Sequence, residues 1–432
     1  MNTYDYDAVS GLFNAVGFEK ICSEKIGQAS QREAFCLLAL RVDTSESLVL
    51  VDADNYRECI IETAIRLSRV KGQSSIVARI GTHRFTVLIP YYVHLKDKLK
   101  EEVDLISSAV SKPMQIAGQT IRPVLRTGIS LWPDGGRSLA ELQHTADIAL
   151  HSAITQRSKA PITYDLNLRM KLSERMSIIE ALHHAIKREE FRLYYQPQID
   201  LTNGICTKAE ALLRWDHPSQ GLLTPDGFIK IAEEAGLIIE ITNWVIDQVA
   251  LHLPVLLDQV SPEFQISINV PSSYLSAFHD ETDQTLYKLL SLSINNGALV
   301  LEITEDAFID ASVETLSMLR AIKAKGFLIS IDDFGVGYSC LSYLTRLPID
   351  ILKVDKTFVE QLSSSKESLA LCNAIIHLGK DMGLTVVVEG LETESQVSSV
   401  SHSGAHYGQG YFFSKPLDLD SLVSYCLQDR EG

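Results

Sequence analysis

This sequence predicts two α/β domains in series: an α+β domain, then a domain of parallel β/α units. Three observations predict them. The chain has 432 residues, too many for one ordinary hydrophobic core. Beyond Phe191, short apolar strands alternate with amphipathic helices, the pattern of a parallel sheet covered by helices. The strands of that second part also end, one after another, on polar residues, and in a β/α barrel chemistry gathers at the C-terminal strand ends.

Composition narrows the function classes. With 46% hydrophobic and 22% charged residues the chain is globular and not disordered. Its formal charge of −16 argues against wrapping a nucleic-acid polymer, which needs a basic surface. It leaves room for a small phosphorylated ligand held by metal ions. The seven cysteines are scattered and form no CxxC pair, as in a reducing compartment. Residues 1–20 lack the basic start and apolar run of a signal peptide. The most apolar segment, Ala235–Leu257, is interrupted by Glu240, Asp247, Gln248 and His252, which suits an amphipathic helix and no direct membrane insertion. The expected location is cytoplasmic.

The first domain is expected over residues 1–166. A turn-rich opening (Asp7–Asn14) precedes helical spacing from Val16 towards Ile26. Phe35–Val42 and Leu48–Val51 read as strands, and Arg57–Val70 as a helix with an apolar face of Ile60, Ile61, Ala64, Ile65 and Leu67. Ser75–Ala78 and Phe85–Pro90 read as strands joined by the tight segment Arg79–Arg84. A strand at Leu125–Leu131, a turn at Pro133–Gly136 and a helix at Leu139–Ile154 follow. Taken alone, this half contains no catalytic constellation.

The half resembles a GGDEF (diguanylate cyclase) domain, a nucleotidyl-cyclase-like fold. The opening Asp7–Phe18, the strand Thr127-Gly-Ile-Ser-Leu-Trp-Pro133 and the helix Ala146-Asp-Ile-Ala-Leu150 carry the resemblance. The signature loop, however, reads Gly81-Thr-His-Arg-Phe85. His83 and Arg84 stand at the family's loop acids, and Arg41 at its metal-binding aspartate. Basic side chains there repel metal ions and nucleotide-bound cations, so the resemblance implies a degenerate GGDEF domain that does not cyclise GTP. The family's inhibitory RxxD site is replaced by Gly72-Gln-Ser-Ser75, and Thr82 stiffens the loop. A scaffolding or regulatory role is expected.

A short polar join (Gln156–Lys159, then Pro161) leads to a helix from about Leu166 to Lys187, so a helix is expected to link the domains. The second domain is expected over 167–432. Its strand-like runs carry, in order, Glu210 and Arg214; Asn269; Glu302 and Glu305; Asp332 and Asp333; Lys353; Glu389; and Gln409. Singly, each is explained by a helix cap or a satisfied core polar group. Seven runs in succession are not. Two adjacent acids at the end of the apolar run Phe327–Ile331 require something cationic, because an isolated buried carboxylate neutralises rather than stay charged. Carboxylates and one amide, without Cys or His, suit hard cations such as Mg²⁺ or Mn²⁺, and two adjacent acids suit a pair of ions. Lys353 is the single amine, placed to offset negative charge or orient a water.

These residues also carry a resemblance to EAL-type cyclic di-GMP phosphodiesterases. Glu210-Ala-Leu212 lies within EALLRW, and Tyr194-Tyr-Gln-Pro197, Glu302-Ile-Thr-Glu305, Asp332-Asp-Phe-Gly335, Leu352-Lys-Val-Asp355, Glu389-Gly and Gln409-Gly-Tyr follow in order. The resemblance implies a TIM-like β/α barrel with one antiparallel strand at Arg192–Pro197, and hydrolysis of cyclic di-GMP to linear pGpG. It implies that Glu210, Asn269, Glu302 and Asp332 hold a first ion, with Asp332 and Asp333 serving a second. Glu389 and Gln409 then handle the metal–water cluster, Lys353 positions the nucleophile, and Gln196 and Arg214 contact the dinucleotide. Glu305 holds the loop Phe334–Leu341, which couples the site to homodimer contacts. Val336, Cys340, His406 and Pro271 depart from the family pattern. The alternatives are a non-catalytic cyclic di-GMP receptor, disfavoured because no metal-binding acid is missing, and an unrelated metal-dependent barrel enzyme.

Overall fold

The computed structural model describes residues 3–29, 32–43, 53–92, 94, 96–276, 297–309, 313–335, 344–360, 362 and 366–428. The expected strand Leu48–Val51 and most of the loop after Gly335, with Val336 and Cys340, lie outside them. The chain divides into two compact units, Met1–Glu174 and Arg175–Gly432. The helix Leu166–Ala185 runs across the division.

The first unit has strands β1 (Glu33–Asp43), β2 (Ile76–Arg79), β3 (Arg84–Tyr92), β4 (Met114–Ile116), β5 (Gln119–Ile121), β6 (Val124–Leu131) and β7 (Ile162–Thr163). One sheet runs β2-β3-β1-β6-β7, antiparallel except for β6 with β7, and β4 and β5 form a separate hairpin. The apolar run of β1 is buried on both faces. Phe35, Leu37 and Ala39 meet residues of the helices Ala15–Gly27 and Leu139–Thr155, while Cys36, Leu38 and Leu40 meet those of Ala53–Val70 and Lys96–Val110. Each buried leucine or phenylalanine among them contributes about 1.5–3 kcal/mol by leaving water. The strands and helices expected from the sequence are present where described. The helix Lys96–Val110, the β4–β5 hairpin and β7 were not anticipated, and β7 lies inside what reads as a polar join.

The second unit contains β8 (Phe191–Asp200), β9 (Cys206–His217), β10 (Gly221–Leu223), β11 (Gln265–Asn269), β12 (Leu299–Thr304), β13 (Leu328–Phe334), β14 (Ile351–Val354), β15 (Thr385–Val388) and β16 (Tyr407–Gly408). Hydrogen bonding runs β8-β9-β11-β12-β13-β14-β15-β16 and back to β8, closing an eight-stranded barrel, with β10 hung on the far end of β9. β8 pairs antiparallel with both neighbours, and the other barrel pairs are parallel. The irregular strand therefore lies where the resemblance puts it. Outward-facing strand residues and the surrounding helices share one continuous core. Inside, Val300, Ile351 and Val387 pack with Leu328 and Tyr407 as an apolar plug. That plug makes one end of the barrel a floor on which polar side chains converge.

The segment expected to be amphipathic is the helix Ile238–Gln259, its apolar face buried along Ile241, Val245, Val249 and Leu256. Among the described residues no helix is long and apolar enough to cross a membrane.

Candidate active site

The site is built around a lysine. β14 carries Lys353 into the barrel, where it is 1% exposed. Its Nζ lies 2.7 Å from Glu302 Oε2 (β12), 2.5 Å from Glu389 Oε1 just past β15, 3.1 Å from Asp332 Oδ1 (β13) and 3.5 Å from Glu210 Oε2 (β9). Four strands thus bring four carboxylates onto one ammonium.

Glu210 is held further by amides. Asn269 Nδ2 donates to its Oε1 at 2.7 Å, and Gln409 Nε2 to its Oε2 at 2.6 Å. Gln409 in turn accepts from Gln198 Nε2 at 2.8 Å and approaches Gln196 Oε1 at 3.3 Å. Asn269 is exposed at the rim, whereas Gln196, Gln198 and Gln409 are buried. The sequence reading did not single out Gln198. Its signal was the two-residue period of β8, which sends Gln196 and Gln198 to the same face.

The acid pair is set by a bulge. Pairing of β13 with β14 passes from Ile331↔Leu352 to Phe334↔Val354, so one extra residue is accommodated on β13. Asp333 takes a left-handed backbone, φ +53°, which is costly for a residue with a side chain. Gly335 follows at φ +96°, where a Cβ would stand 2.8 Å from the Phe358 ring. Glu305 accepts a hydrogen bond from Gly335 N at 3.0 Å and so ties the end of β12 to this turn. Asp332 faces the lysine, and Asp333 remains at the exposed rim.

One ammonium does not neutralise four acids. Burial, then the neighbouring Glu210, pushes Glu302 well above the usual carboxylate range, with Lys353 opposing. Burial likewise raises Glu389 to about 8. Glu210 goes the other way: although burial pushes it up, Lys353 and its amide donors hold it low. Partial burial and the nearby Asp332 and Asp355 raise Asp333 to about 6. Lys353 itself, which burial pulls down, is carried well above its usual value by the acids.

Among the described residues no group of three His, Cys, Asp or Glu side chains stands as a ready-made ion cage. The acids are drawn onto Lys353 instead. The donor chemistry nevertheless fits a hard divalent cation: hard oxygens, one amide and a shortage of positive charge.

Arg214 stands apart from this cluster, half-buried, its guanidinium 5.9 Å from the centroid of the Tyr194 ring. His406 accepts a hydrogen bond from Val386 N at Nδ1, 2.9 Å, a structural role within the barrel wall. In the first unit, Arg41 pairs with Asp43 at 2.6 Å and Arg84 with Asp147. Tyr56 Oη donates to Thr82 O at 2.6 Å and packs edge-on against His83. The space beneath His83 and Tyr56 is only about 10 Å³, no more than a single water needs.

A closed β/α barrel with one reversed strand and an acid–amide cluster at its C-terminal mouth defines a class of barrel domains whose strand ends carry the candidate active site. The chain belongs to the EAL domain family, whose model matches residues 179–416, and the diguanylate cyclase, GGDEF domain model matches residues 4–160. It is 31% identical over 423 residues to the bifunctional diguanylate cyclase/cyclic di-GMP phosphodiesterase MucR of Pseudomonas aeruginosa, covering 94% of this chain and 59% of that protein. It is 30% identical over 426 residues to the cyclic di-GMP phosphodiesterase NbdA of the same organism, covering 97% and 54%. The chain thus spans somewhat over half the length of these relatives. Among solved structures, it resembles the PaMucR phosphodiesterase in complex with c-di-GMP at 36% identity and TM-score 0.54, covering 57% of this chain and 99% of that one.

Proposed function

We propose that the second unit hydrolyses one phosphodiester bond of cyclic di-GMP, adding water across a P–O bond to give linear pGpG. The observation that carries this reading is the uncompensated charge around Lys353: four carboxylates from four strands against one ammonium. Such a cluster stays ionised only if more positive charge enters. Glu210, Asn269, Glu302 and Asp332 would hold one Mg²⁺ or Mn²⁺, and Asp332 with Asp333 a second. The ions would supply Lewis-acid activation of the attacking water and neutralise the phosphate.

The protein's own residues do the rest. Lys353 keeps a fixed positive charge beside the attacked phosphate. The amides of Gln409 and Asn269 keep Glu210 turned inward, and Gln198 keeps Gln409 in place. Glu389, in contact with Lys353, would orient the attacking water. Gln196 and Arg214 would contact the dinucleotide. Glu305 maintains the turn through Gly335.

The first unit acts as a scaffold or regulator and not as a cyclase. Arg41 and Arg84 put positive charge where the resemblance expects acids, and both are tied into ion pairs, while His83, held below its usual range by burial and then by Arg41, supplies no carboxylate there.

Incubating the purified chain with cyclic di-GMP and Mg²⁺ or Mn²⁺, then resolving the nucleotides, tests the reading. Appearance of pGpG, lost in Glu210→Ala, supports it. Binding without cleavage would make the barrel a receptor.

A further inference from the structure

At the end of the barrel opposite the acids, a second polar group faces a cavity. Lys208 lies two residues before Glu210 on β9, so both side chains point into the barrel. Lys208 is 9% exposed, and its ammonium sits 4.0 Å from the centroid of the Tyr407 ring. The nearest acid on β8, Asp200, is engaged in its own turn. Its Oδ1 accepts from Thr202 N at 2.8 Å and Thr202 Oγ1 at 2.5 Å, and its Oδ2 from Asn203 Nδ2 at 3.4 Å. Among the described residues, Lys208 Nζ therefore has an aromatic face and no ion pair. Gln265, its register partner on β11, has a buried Oε1 without a hydrogen-bond partner. Both residues line a cavity of about 390 Å³ at the N-terminal mouth, with Thr207, Phe264, Gly297 and Tyr407.

An ammonium buried with no ion pair at contact distance, on which Asp200 acts only from further off, and an orphaned amide oxygen are both costly. A cation–π contact offsets only part of the first. One ligand satisfies both: an anionic oxygen for Lys208 and, once the Gln265 amide turns its covered Oε1 to the cavity, an O–H for that oxygen. Glu263 lines the same mouth but is exposed, so solvent and salt screen its charge. The cavity is within the size range of small-molecule sites.

We propose that this mouth is a second binding site, for a small oxyanion that also carries an O–H donor, such as a phosphomonoester or a hydroxycarboxylate, held by Lys208 and Gln265. It stands independently of the acid cluster at the other end.

Titration calorimetry on the full chain, in EDTA so that the acid cluster holds no cation, tests it. The probes are inorganic phosphate, glycerol 3-phosphate and lactate, with sulfate, which has no proton to donate, as the control. Saturable binding of at least one O–H-bearing anion is expected, at least about tenfold tighter than sulfate. Lys208→Met should weaken it at least about tenfold, and Gln265→Met should erase the preference over sulfate, both variants keeping the wild-type circular dichroism. The probe that binds tells phosphate esters from hydroxy acids. The proposal is overturned if no probe binds saturably, if sulfate binds as well, or if folded Lys208→Met binds like wild type.

Discussion

Lys353 Nζ and Glu302 Oε2 lie 2.7 Å apart with both side chains 1% exposed, a fully desolvated ion pair at the centre of the barrel. Such a pair is retained at a cost in desolvation, and removing one partner strands the other. Three more acids share the same ammonium. On the proposed function the lysine is thus both a fixed charge for the reaction and a rival to any ion for the same oxygens.

That rivalry separates two effects of Lys353→Ala. Turnover of cyclic di-GMP should fall at least about 100-fold, as on loss of an electrostatic stabiliser. Affinity for Mn²⁺, followed by the paramagnetic signal of the free ion, should rise. Near-normal turnover, or weaker Mn²⁺ binding, refutes the double role.

The pH dependence of stability has a definite sign. Glu389 in the folded chain titrates near 8, above its unfolded value of about 4.5, so the native state holds the extra proton between those values. Its contribution is present below about pH 4.5 and is lost as pH rises through about 8. Melting of the metal-free protein should therefore shift to lower temperature from pH 5 to pH 8, less so in Glu389→Gln, and added Mg²⁺ should flatten the wild-type slope. An unchanged slope in Glu389→Gln removes this carboxyl from the explanation.

Gly335 is confined by the Phe358 ring and by its left-handed backbone. Gly335→Ala should cost about 1–3 kcal/mol in thermal or denaturant unfolding and lower turnover with it. Glu305→Gln, which keeps an acceptor for Gly335 N, should be milder than Glu305→Ala. Equal loss in the two Glu305 variants would mean that the charge, not the hydrogen bond, matters there.

For the first unit the expectation is negative. With GTP and Mg²⁺ the chain should form no cyclic di-GMP, because Arg41, His83 and Arg84 offer no carboxylate to hold the metal ions that would carry the triphosphate. Detection of the cyclic product by mass spectrometry would contradict the degenerate reading.

Much of this was legible in the sequence. Each acid sits in or at the end of a strongly apolar run, so Glu302, Asp332 and Glu389 could be placed on or near strand ends before any coordinates, whereas Glu210 lies in the middle of the long β9. What could not be read is closure. That Gln198 supports Gln409, 211 residues away, depends on β8 sealing the barrel against both β9 and the two-residue β16. The hub role of Lys353 depends on four registers at once. Lys208 carries no signal of its own in the sequence, because only barrel closure brings Tyr407 to it. In the first unit the helix Lys96–Val110 was missed although Leu99, Val103, Ile106 and Val110 carry helical spacing, because lysines and acids dominate its other face.

The central claim is that the acid cluster is a divalent-cation site, and anomalous diffraction from crystals soaked in Mn²⁺ tests it most directly. The account predicts anomalous density bounded by oxygens of Glu210, Asn269, Glu302 and Asp332, with Lys353 Nζ displaced from at least one of them. Density absent there, with the ammonium still gripping all four acids at saturating Mn²⁺, would contradict it.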